Sequence, residues 1–298
     1  MDPATSITSA SDLTERLRKT GYLCDEALGT IGFLALQMQR PLLLEGEPGT
    51  GKTALAEAFA EALDVPLIRL QCYEGIDASQ ALYDWDFPRQ ILHLRALEAA
   101  GGGAVMDAEK AEHSLFDERF LLARPVLRAL RESPCVLLVD EIDRADDEFE
   151  AFLLEVLSSW SVSIPELGTV TAATPPTVVL TSNRTRELHD ALKRRCLYHW
   201  IDHPQLDREV AIVRTRAPHV SDALARDVAE AVARLRELDL AKLPGVAETI
   251  DWAKALAFLG ADALTRPLAA DTLGAVVKDH EDQELVVARL AEVVGEDG

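Results

Sequence analysis

The sequence is poor in cysteines, and those it has form no motif. The four cysteines are scattered along the chain without a Cys-x-x-Cys pair: Cys24, Cys72, Cys135 and Cys196. Such spacing indicates neither a zinc site nor a disulfide framework. We therefore expect reduced, partly buried thiols.

Basic residues and long apolar runs are also scarce. The chain contains 30 Lys and Arg residues and 51 Asp and Glu residues, which gives a formal net charge of −21. Since affinity for a nucleic-acid backbone comes largely from Lys and Arg, this charge argues against a nucleic-acid partner. No run approaches the ~20 apolar residues of a membrane span, and residues 1–11 lack the features of a secretory signal. We expect a cytoplasmic protein without a membrane span.

The most informative segment is a glycine-rich loop between a predicted strand, residues 42–44, and a predicted helix, residues 54–63. The loop consists of Gly46, Glu47, Pro48, Gly49, Thr50, Gly51, Lys52 and Thr53. Glycines allow successive N–H groups to surround phosphate oxygens, and the helix N-terminus adds partial positive charge. We predict that this loop, with Ala54, binds the phosphates of ATP. Lys52 would reach the β- and γ-phosphates, and Thr53 would bind Mg²⁺.

A second motif lies at the end of an apolar run. Residues 134–139 are typical of a buried parallel strand, and they are followed by Asp140 and Glu141. Acids in this position lie at the ligand crevice of an α/β sheet. We predict that Asp140 holds Mg²⁺, directly or through water, and that Glu141 polarises the water that attacks the γ-phosphate. The alternative is a solvated acidic turn over residues 140–147.

Further along, a third apolar strand ends in Asn183, which can orient the attacking water from the neighbouring strand. Arg194 and Arg195 then end a helical segment before the strand at residues 197–201. An arginine there can act as a finger that stabilises transition-state charge at the next subunit's site. The alternative is simple capping of the helix C-terminus by cations. The sequence does not decide which of the two arginines is the finger.

The remaining pattern predicts two domains, an α/β domain over residues 1–203 and a helical domain over residues 204–298. Residues 13–39 have helical spacing, and Tyr22 in their middle is predicted to border the adenine. Residues 65–70 are predicted to form the second strand.

Several segments outside these motifs also carry expectations. Residues 160–171 alternate apolar and polar side chains around a turn, which predicts a hairpin. Helical spacing over residues 222–238 and 282–294 predicts an all-helical lid. A glycine run opens the polar segment 101–113, where we expect flexibility. Residues 73–89 combine aromatic and acidic side chains, either as an exposed partner surface or as a packed cluster.

These motifs resemble those of AAA+ ATPases, with residues 46–53 as Walker A, residues 137–141 as Walker B and Asn183 as sensor 1. Within that class the chain is similar to the MoxR group, in which the loop reads GEPGTGKT or close to it. The Walker B strand of that group continues as Asp-Glu-Ile-Asp/Asn-Arg-Ala, matched here by residues 140–145. More narrowly, residues 22–26 and 73–89 resemble the subgroup associated with maturation of molybdenum-containing carbon monoxide dehydrogenase.

The resemblance implies a P-loop AAA+ fold, a parallel sheet flanked by helices and followed by a small all-helical lid. It also implies an ATPase that works as a ring, expected to be hexameric, and that remodels a metalloenzyme client with a von Willebrand A domain protein as adaptor. The alternative is a nucleotide-gated scaffold with little turnover.

One feature departs from the family pattern. Many members carry a lid arginine, sensor 2, in a segment that corresponds here to residues 245–252, and this segment contains no arginine. Lys254 lies one helical turn further on and is the cation that can replace it. Lysine is a point charge rather than a planar fork, so coupling between nucleotide and lid is in question.

Overall fold

A computed structural model describes residues 6–100 and 115–295. The α/β part contains, in chain order, α1 (Ala10–Lys19), α2 (Glu26–Met38), β1 (Leu42–Gly46), α3 (Lys52–Leu63), β2 (Leu67–Gln71), α4 (Ala78–Leu82), β3 (Tyr83–Trp85), α5 (Phe87–Ala100), β4 (Leu121–Ala123), α6 (Pro125–Arg131), β5 (Val136–Asp140), α7 (Asp147–Ser159), β6 (Ser161–Ile164), β7 (Gly168–Thr171), β8 (Thr177–Ser182), α8 (Asp190–Arg195) and β9 (Leu197–Ile201). It is followed by α9 (Leu206–Arg216), α10 (Asp222–Arg236), α11 (Val246–Phe258), α12 (Arg266–Thr272), α13 (His280–Ala288) and α14 (Leu290–Val294). The segment 101–113, for which we expected flexibility, lies outside the described residues.

The core is a parallel sheet whose described strands have the order β2-β5-β8-β1-β9. Every residue of β1 and β5 is buried, which explains their continuous apolar sequences. Successive side chains point to opposite faces, so Leu43 belongs to one buried cluster while Leu42 and Leu44 belong to the other. Helices α6 and α7 cover the first face, and α1, α2 and α3 cover the second. This three-layer arrangement confirms the predicted α/β fold.

The segment 13–39 is not one continuous helix. It forms α1 and α2, and the chain turns between them at Gly21, whose φ of 81° lies in the left-handed region that favours glycine. Leu13 on α1 and Leu28 on α2 both pack into the same buried cluster. The turn carries Tyr22, which would otherwise lie in the middle of a helix.

A two-stranded antiparallel sheet and a hairpin pack against each other beside the main sheet. Strand β3 pairs with β4, and β6 pairs with β7 as predicted from residues 160–171. Tyr83 and Trp85 are partly buried against the cluster that contains Leu121 and Ile164, and their rings meet edge to face at 6.2 Å. This favours the packed alternative for these two aromatics. Phe87, by contrast, is 59% exposed.

The regular elements described after β9 are all helices, which confirms a helical C-terminal region. The predicted helix over residues 282–294 is divided into α13 and α14 at Arg289. Buried apolar side chains between Val210 and Val293 form a core of their own, with Trp252 at its centre. None of the described helices combines the length and apolar character that crossing a membrane requires.

A buried ion pair joins three helices of this region. Glu209 on α9 is 1% exposed and accepts two hydrogen bonds from the Arg236 guanidinium on α10, at 2.6 and 2.8 Å. Thr249 on α11 donates a third hydrogen bond to Glu209 at 2.6 Å. The carboxylate is therefore satisfied only while all three helices are docked.

We predict that Arg236→Ala lowers the free energy of unfolding by about 3–5 kcal/mol, because it leaves Glu209 charged, buried and unpaired. Urea denaturation followed by circular dichroism measures the change. The control is Arg128→Ala, which removes an exposed ion pair to Glu132 and is expected to cost less than about 1 kcal/mol. Equal losses in the two variants would contradict the structural role of the buried pair.

Candidate nucleotide-binding site

A cavity of about 470 Å³ opens at the carboxyl end of the parallel sheet, beneath α9 and the start of α11. The sequence-predicted residues that line it are Tyr22, Pro48, Gly49, Thr50, Gly51, Lys52, Thr53, Ala54, Asp140, Glu141 and Asn183. Gly46 and Glu47, the first two residues of the loop, do not line the cavity, and neither do Arg194 and Arg195. The structure thus brings most of the predicted residues together.

The glycine-rich loop needs its glycines for both conformation and space. Gly49 and Gly51 have φ values of 76° and 92°, which disfavour any residue with a side chain. A Cβ atom on Gly46 would lie 2.2 Å from the carbonyl oxygen of Ile201. The loop is therefore held close to β9, and its glycines let the backbone itself approach a phosphate closely.

Lys52 spans this loop from the first turn of α3. Its ammonium group donates to the carbonyl oxygens of Gly46 and Glu47 at 2.8 and 2.7 Å. These two residues therefore contribute to the site by accepting hydrogen bonds from Lys52. Burial lowers the pKa of Lys52, while the carboxylates of Asp143, Glu47, Asp140 and Glu141 act in the opposite direction. A bound polyphosphate would add negative charge and favour the protonated lysine further.

Asp140 is the most connected side chain of the site. Its Oδ1 lies 3.1 Å from the Thr53 hydroxyl and accepts from the Thr181 hydroxyl at 2.5 Å. Its Oδ2 is paired with the Arg69 guanidinium of β2 at 2.5 Å. These contacts hold a carboxylate that is 3% exposed at the floor of the cavity.

The donor set fits Mg²⁺, which prefers oxygen ligands and usually keeps several waters and phosphate oxygens. Thr53 and Asp140 supply two oxygens within hydrogen-bonding distance of one another. The described residues contain no group of three or more His, Cys, Asp or Glu side chains that could hold a metal by themselves. An ion here would therefore depend on a nucleotide for part of its coordination.

Glu141 is held in position from three sides. Its φ of 55° turns the chain sharply after β5, and its N–H donates to the Thr181 hydroxyl at 2.9 Å. Its carboxylate accepts from Gln71 Nε2 at 3.0 Å and pairs with Arg144 Nε at 3.0 Å. The side chain remains 30% exposed, so a water molecule can reach it.

Asn183 lies at the end of β8, the strand beside β5. Its N–H donates to the buried carboxylate of Asp143 at 3.2 Å. Asp143 also accepts from the N–H and hydroxyl of Thr185 at 2.9 and 2.7 Å. This network fixes the turn after β8 and keeps the Asn183 amide at the cavity wall.

The sequence interpretation missed several residues at or beside the cavity, four of which are Arg or Gln. Arg69 and Gln71 alternate on β2, and their proximity to Asp140 and Glu141 follows from the pairing of Gln71 with Asp140. Their polar character near the end of a predicted strand was the only local signal, and the strand order that places them beside Asp140 is a tertiary feature. The other two, Arg208 and Arg216, extend from α9.

The lid cations differ from those expected. Arg208 donates to the Leu23 carbonyl at 2.8 Å and pairs with Asp25 at 2.9 Å, beside Tyr22. Arg216 lines the same cavity and has no acidic partner among the described residues. Lys254, the cation that can replace the missing arginine, does not line the cavity; its turn of α11 lies beyond Ile250, which is in the lining.

Arg194 and Arg195 are exposed at the end of α8, next to the start of β9. Leu197 pairs with Leu42 at one end of the sheet, whereas Ile201 pairs with Gly46 at the cavity end. Four residues of strand, or roughly 13 Å, therefore separate the two ends. Neither arginine side chain is ion-paired within the part of the chain that the structure describes.

The backbone of this pair is held by another arginine. Arg40, just before β1, donates to the carbonyl oxygens of Arg194, Arg195 and Cys196 at 2.6, 3.0 and 3.3 Å. A guanidinium at a helix C-terminus satisfies carbonyls that have no partner within the helix. The two arginines thus project from a fixed turn.

Comparison with known proteins gives a family match over the same region. The family model described as AAA domain (dynein-related subfamily) matches residues 41–196. An uncharacterised protein of Staphylococcus saprophyticus is 23% identical over 219 residues, which cover 71% of this chain and 74% of that protein. Midasin of Giardia intestinalis is 35% identical over 96 residues, or 32% of this chain and 2% of midasin.

Among solved structures, the RuvB Holliday junction branch migration motor of Thermotoga maritima is similar to this chain with a TM-score of 0.47 and 17% sequence identity. The alignment covers 92% of this chain and 73% of that one.

We predict that Arg69→Gln lowers the Mg²⁺ concentration needed for half-maximal nucleotide binding by about two- to fivefold. The substitution frees Asp140 Oδ2 from an ion pair that is half-exposed on the arginine side and is worth about 0.5–1 kcal/mol. Titration of Mg²⁺ against binding of a fluorescent ATP analogue measures it. Arg144→Gln is the control, since Arg144 contacts Glu141 instead. An unchanged Mg²⁺ requirement in Arg69→Gln would refute the competition.

Proposed function

Because the chain belongs to the AAA domain family of the dynein-related subfamily, we propose that it is an AAA+ ATPase that hydrolyses ATP to ADP and phosphate. The observation that carries this proposal is the meeting of Lys52, Thr53, Asp140 and Glu141 in one cavity. These residue types supply phosphate binding, metal binding and water activation, and they come from two segments, the start of α3 and the carboxyl end of β5 with the residue that follows it.

In this proposal the loop N–H groups and Lys52 bind the phosphates, and Tyr22 borders the adenine. Thr53 and Asp140 would hold Mg²⁺, which neutralises charge on the phosphates when bound. Gln71 and Arg144 keep the Glu141 carboxylate oriented so that it accepts a hydrogen bond from the attacking water. The side-chain amide of Asn183 donates a hydrogen bond to the same water or to the γ-phosphate.

We propose further that the active site is completed by a neighbouring copy in a ring, which we expect to be hexameric. Arg194 and Arg195 are exposed, unpaired within the described chain, and at the opposite end of the sheet from their own cavity. They are therefore suited to reach another subunit's nucleotide rather than their own. The fixed turn that Arg40 provides supports the finger interpretation over helix capping alone, because Arg40 already satisfies the carbonyls.

The client is proposed from the resemblance to the MoxR group. The GEPGTGKT loop and the sequence of residues 140–145 support a chaperone that matures a metalloenzyme of the carbon monoxide dehydrogenase kind, with a von Willebrand A domain protein as partner. The net charge of −21 disfavours a nucleic-acid substrate. We also propose a cytoplasmic location and a domain boundary between residues 203 and 204.

The second candidate function is a nucleotide-gated scaffold with little turnover. Two observations favour it: Arg69 occupies one oxygen of Asp140, and residues 245–252 carry no lid arginine. A scaffold would bind ATP and assemble, but its hydrolysis rate would not depend on Glu141.

The first test is Glu141→Gln, which removes the carboxylate charge that polarises water while keeping the size of the side chain. We expect retained ATP binding, retained assembly and a loss of steady-state turnover of at least about 100-fold. Glu292→Gln, at an exposed position of α14, is the control. Turnover near that of the wild type would eliminate Glu141 as the water-activating residue, and absence of turnover in the wild type would favour the scaffold.

Mixed rings test the finger in trans. Arg194→Ala and Arg195→Ala each keep an intact cavity, whereas Lys52→Ala keeps both arginines. We expect one of the arginine variants to be inactive alone and to regain part of its turnover when mixed with Lys52→Ala, because the latter supplies the missing cation. The measurement is ATPase rate against mixing ratio. Failure of every mixture to recover activity would argue against a shared site.

A further inference from the structure

The lid touches the phosphate-binding loop directly through its backbone. The N–H of Val246, the first residue of α11, donates to the carbonyl oxygen of Gly49 at 2.9 Å. A Cβ atom on Gly245 would lie 2.6 Å from Gly49 Cα, and one on Gly49 would lie 2.8 Å from Gly245 Cα. Only two glycines can approach this closely, so the contact depends on both.

We propose that this Val246–Gly49 hydrogen bond positions the phosphate loop and couples it to the lid, in place of a lid arginine. The inference rests on the proposed ATP binding at this site. It assigns a role to a main-chain group of the lid, which no side-chain motif reveals.

The geometry of a trans peptide explains how the bond acts. The carbonyl of Gly49 and the N–H of Thr50 belong to the same planar unit and point in opposite directions. With the carbonyl directed at the lid, the Thr50 N–H is directed away from it, and the structure records no acceptor for that N–H among the described residues. Thr50 lines the cavity, so its N–H is available to a phosphate oxygen.

Gly49 makes this orientation dependent on the lid. A glycine at φ 76° can rotate its neighbouring peptide units more freely than other residues. The lid bond removes that freedom before the ligand arrives. Since coupling between two sites is reciprocal, a phosphate that fixes the loop also stabilises the docked lid.

The other end of the lid contact is consistent with this role. The α11 N-terminus has N–H groups without helical acceptors, and Glu248 satisfies that of Gly245 at 3.0 Å. The Val246 N–H is satisfied by the loop instead. Arg208 meanwhile holds the Leu23 carbonyl beside Tyr22. Among the described residues, the lid therefore meets the cavity through α9 and through the start of α11, and the α11 contact is the one that bears on the phosphate loop.

Val246→Pro tests the bond because proline has no N–H and suits the first position of a helix. Gly245, at φ −85° and ψ −178°, already has a conformation that a following proline accepts. Val246→Ala is the matched control, since it loses the valine side chain but keeps the N–H. The difference between the two variants isolates the hydrogen bond.

Equilibrium binding of ATP and of adenosine is measured for both variants by calorimetry. We expect Val246→Pro to bind ATP about three- to tenfold more weakly than Val246→Ala, with equal adenosine affinity, as loss of one hydrogen bond predicts. Equal ATP affinities would overturn the inference. A wild-type chain that binds no ATP would instead overturn the proposed function.

A second variant guards against misfolding of the proline protein. Gly245→Ala forces the loop and lid apart, whereas Gly274→Ala adds its methyl group where the nearest atom, Gln283 Nε2, is 3.8 Å away. We expect weaker ATP binding in Gly245→Ala than in Gly274→Ala, with faster amide hydrogen exchange in the loop before ATP is added. If Gly245→Ala has the same amide hydrogen exchange in the loop and the same ATP affinity as the wild type, the coupling is refuted.

Discussion

Parallel pairing of the five core strands is the constraint on which the site depends. In a parallel sheet every strand ends at the same edge, so the polar residues after β1, β5 and β8 converge although they are far apart in sequence. Both faces of the sheet are covered by helices, and the strands can therefore be apolar along their length. In β1 and β5 the polar side chains, Glu45 and Asp140, lie at or next to the carboxyl end of the strand.

The carboxylates at this edge of the sheet are paired with cationic side chains from neighbouring elements. Asp140 is paired with Arg69, Glu141 with Arg144, and Lys52 bridges the loop carbonyls. These contacts hold each group near the position in which it would serve the proposed reaction. They also set a cost for metal binding, since the Arg69 pair competes for an oxygen of Asp140.

In the proposed ring, the C-terminal helices and the arginine pair Arg194 and Arg195 would connect this cavity to other copies of the chain. The C-terminal helices have an apolar core of their own. Their contacts with the α/β part include those of Val246 with Gly49 and of Arg208 with Leu23 and Asp25. Arg194 and Arg195 lie at the far end of the sheet, which gives a physical reason for the proposed assembly: the two arginines are too distant to serve their own site.

The sequence alone determined the features that depend on local chemistry. The P-loop residues 46–53, the strand that ends in Asp140 and Glu141, the hairpin and the helical C-terminal region were all predictable, because glycine conformation and apolar periodicity act over a few residues. The break at Gly21 within residues 13–39 was missed, since one turn leaves the helical spacing nearly unchanged. Tertiary structure alone decided that Arg69 and Gln71 face the carboxylates, that Lys254 lies outside the cavity lining, and that Gly245 meets Gly49. These contacts join residues up to about two hundred positions apart, and their formation depends on strand order and domain docking, which local patterns do not encode.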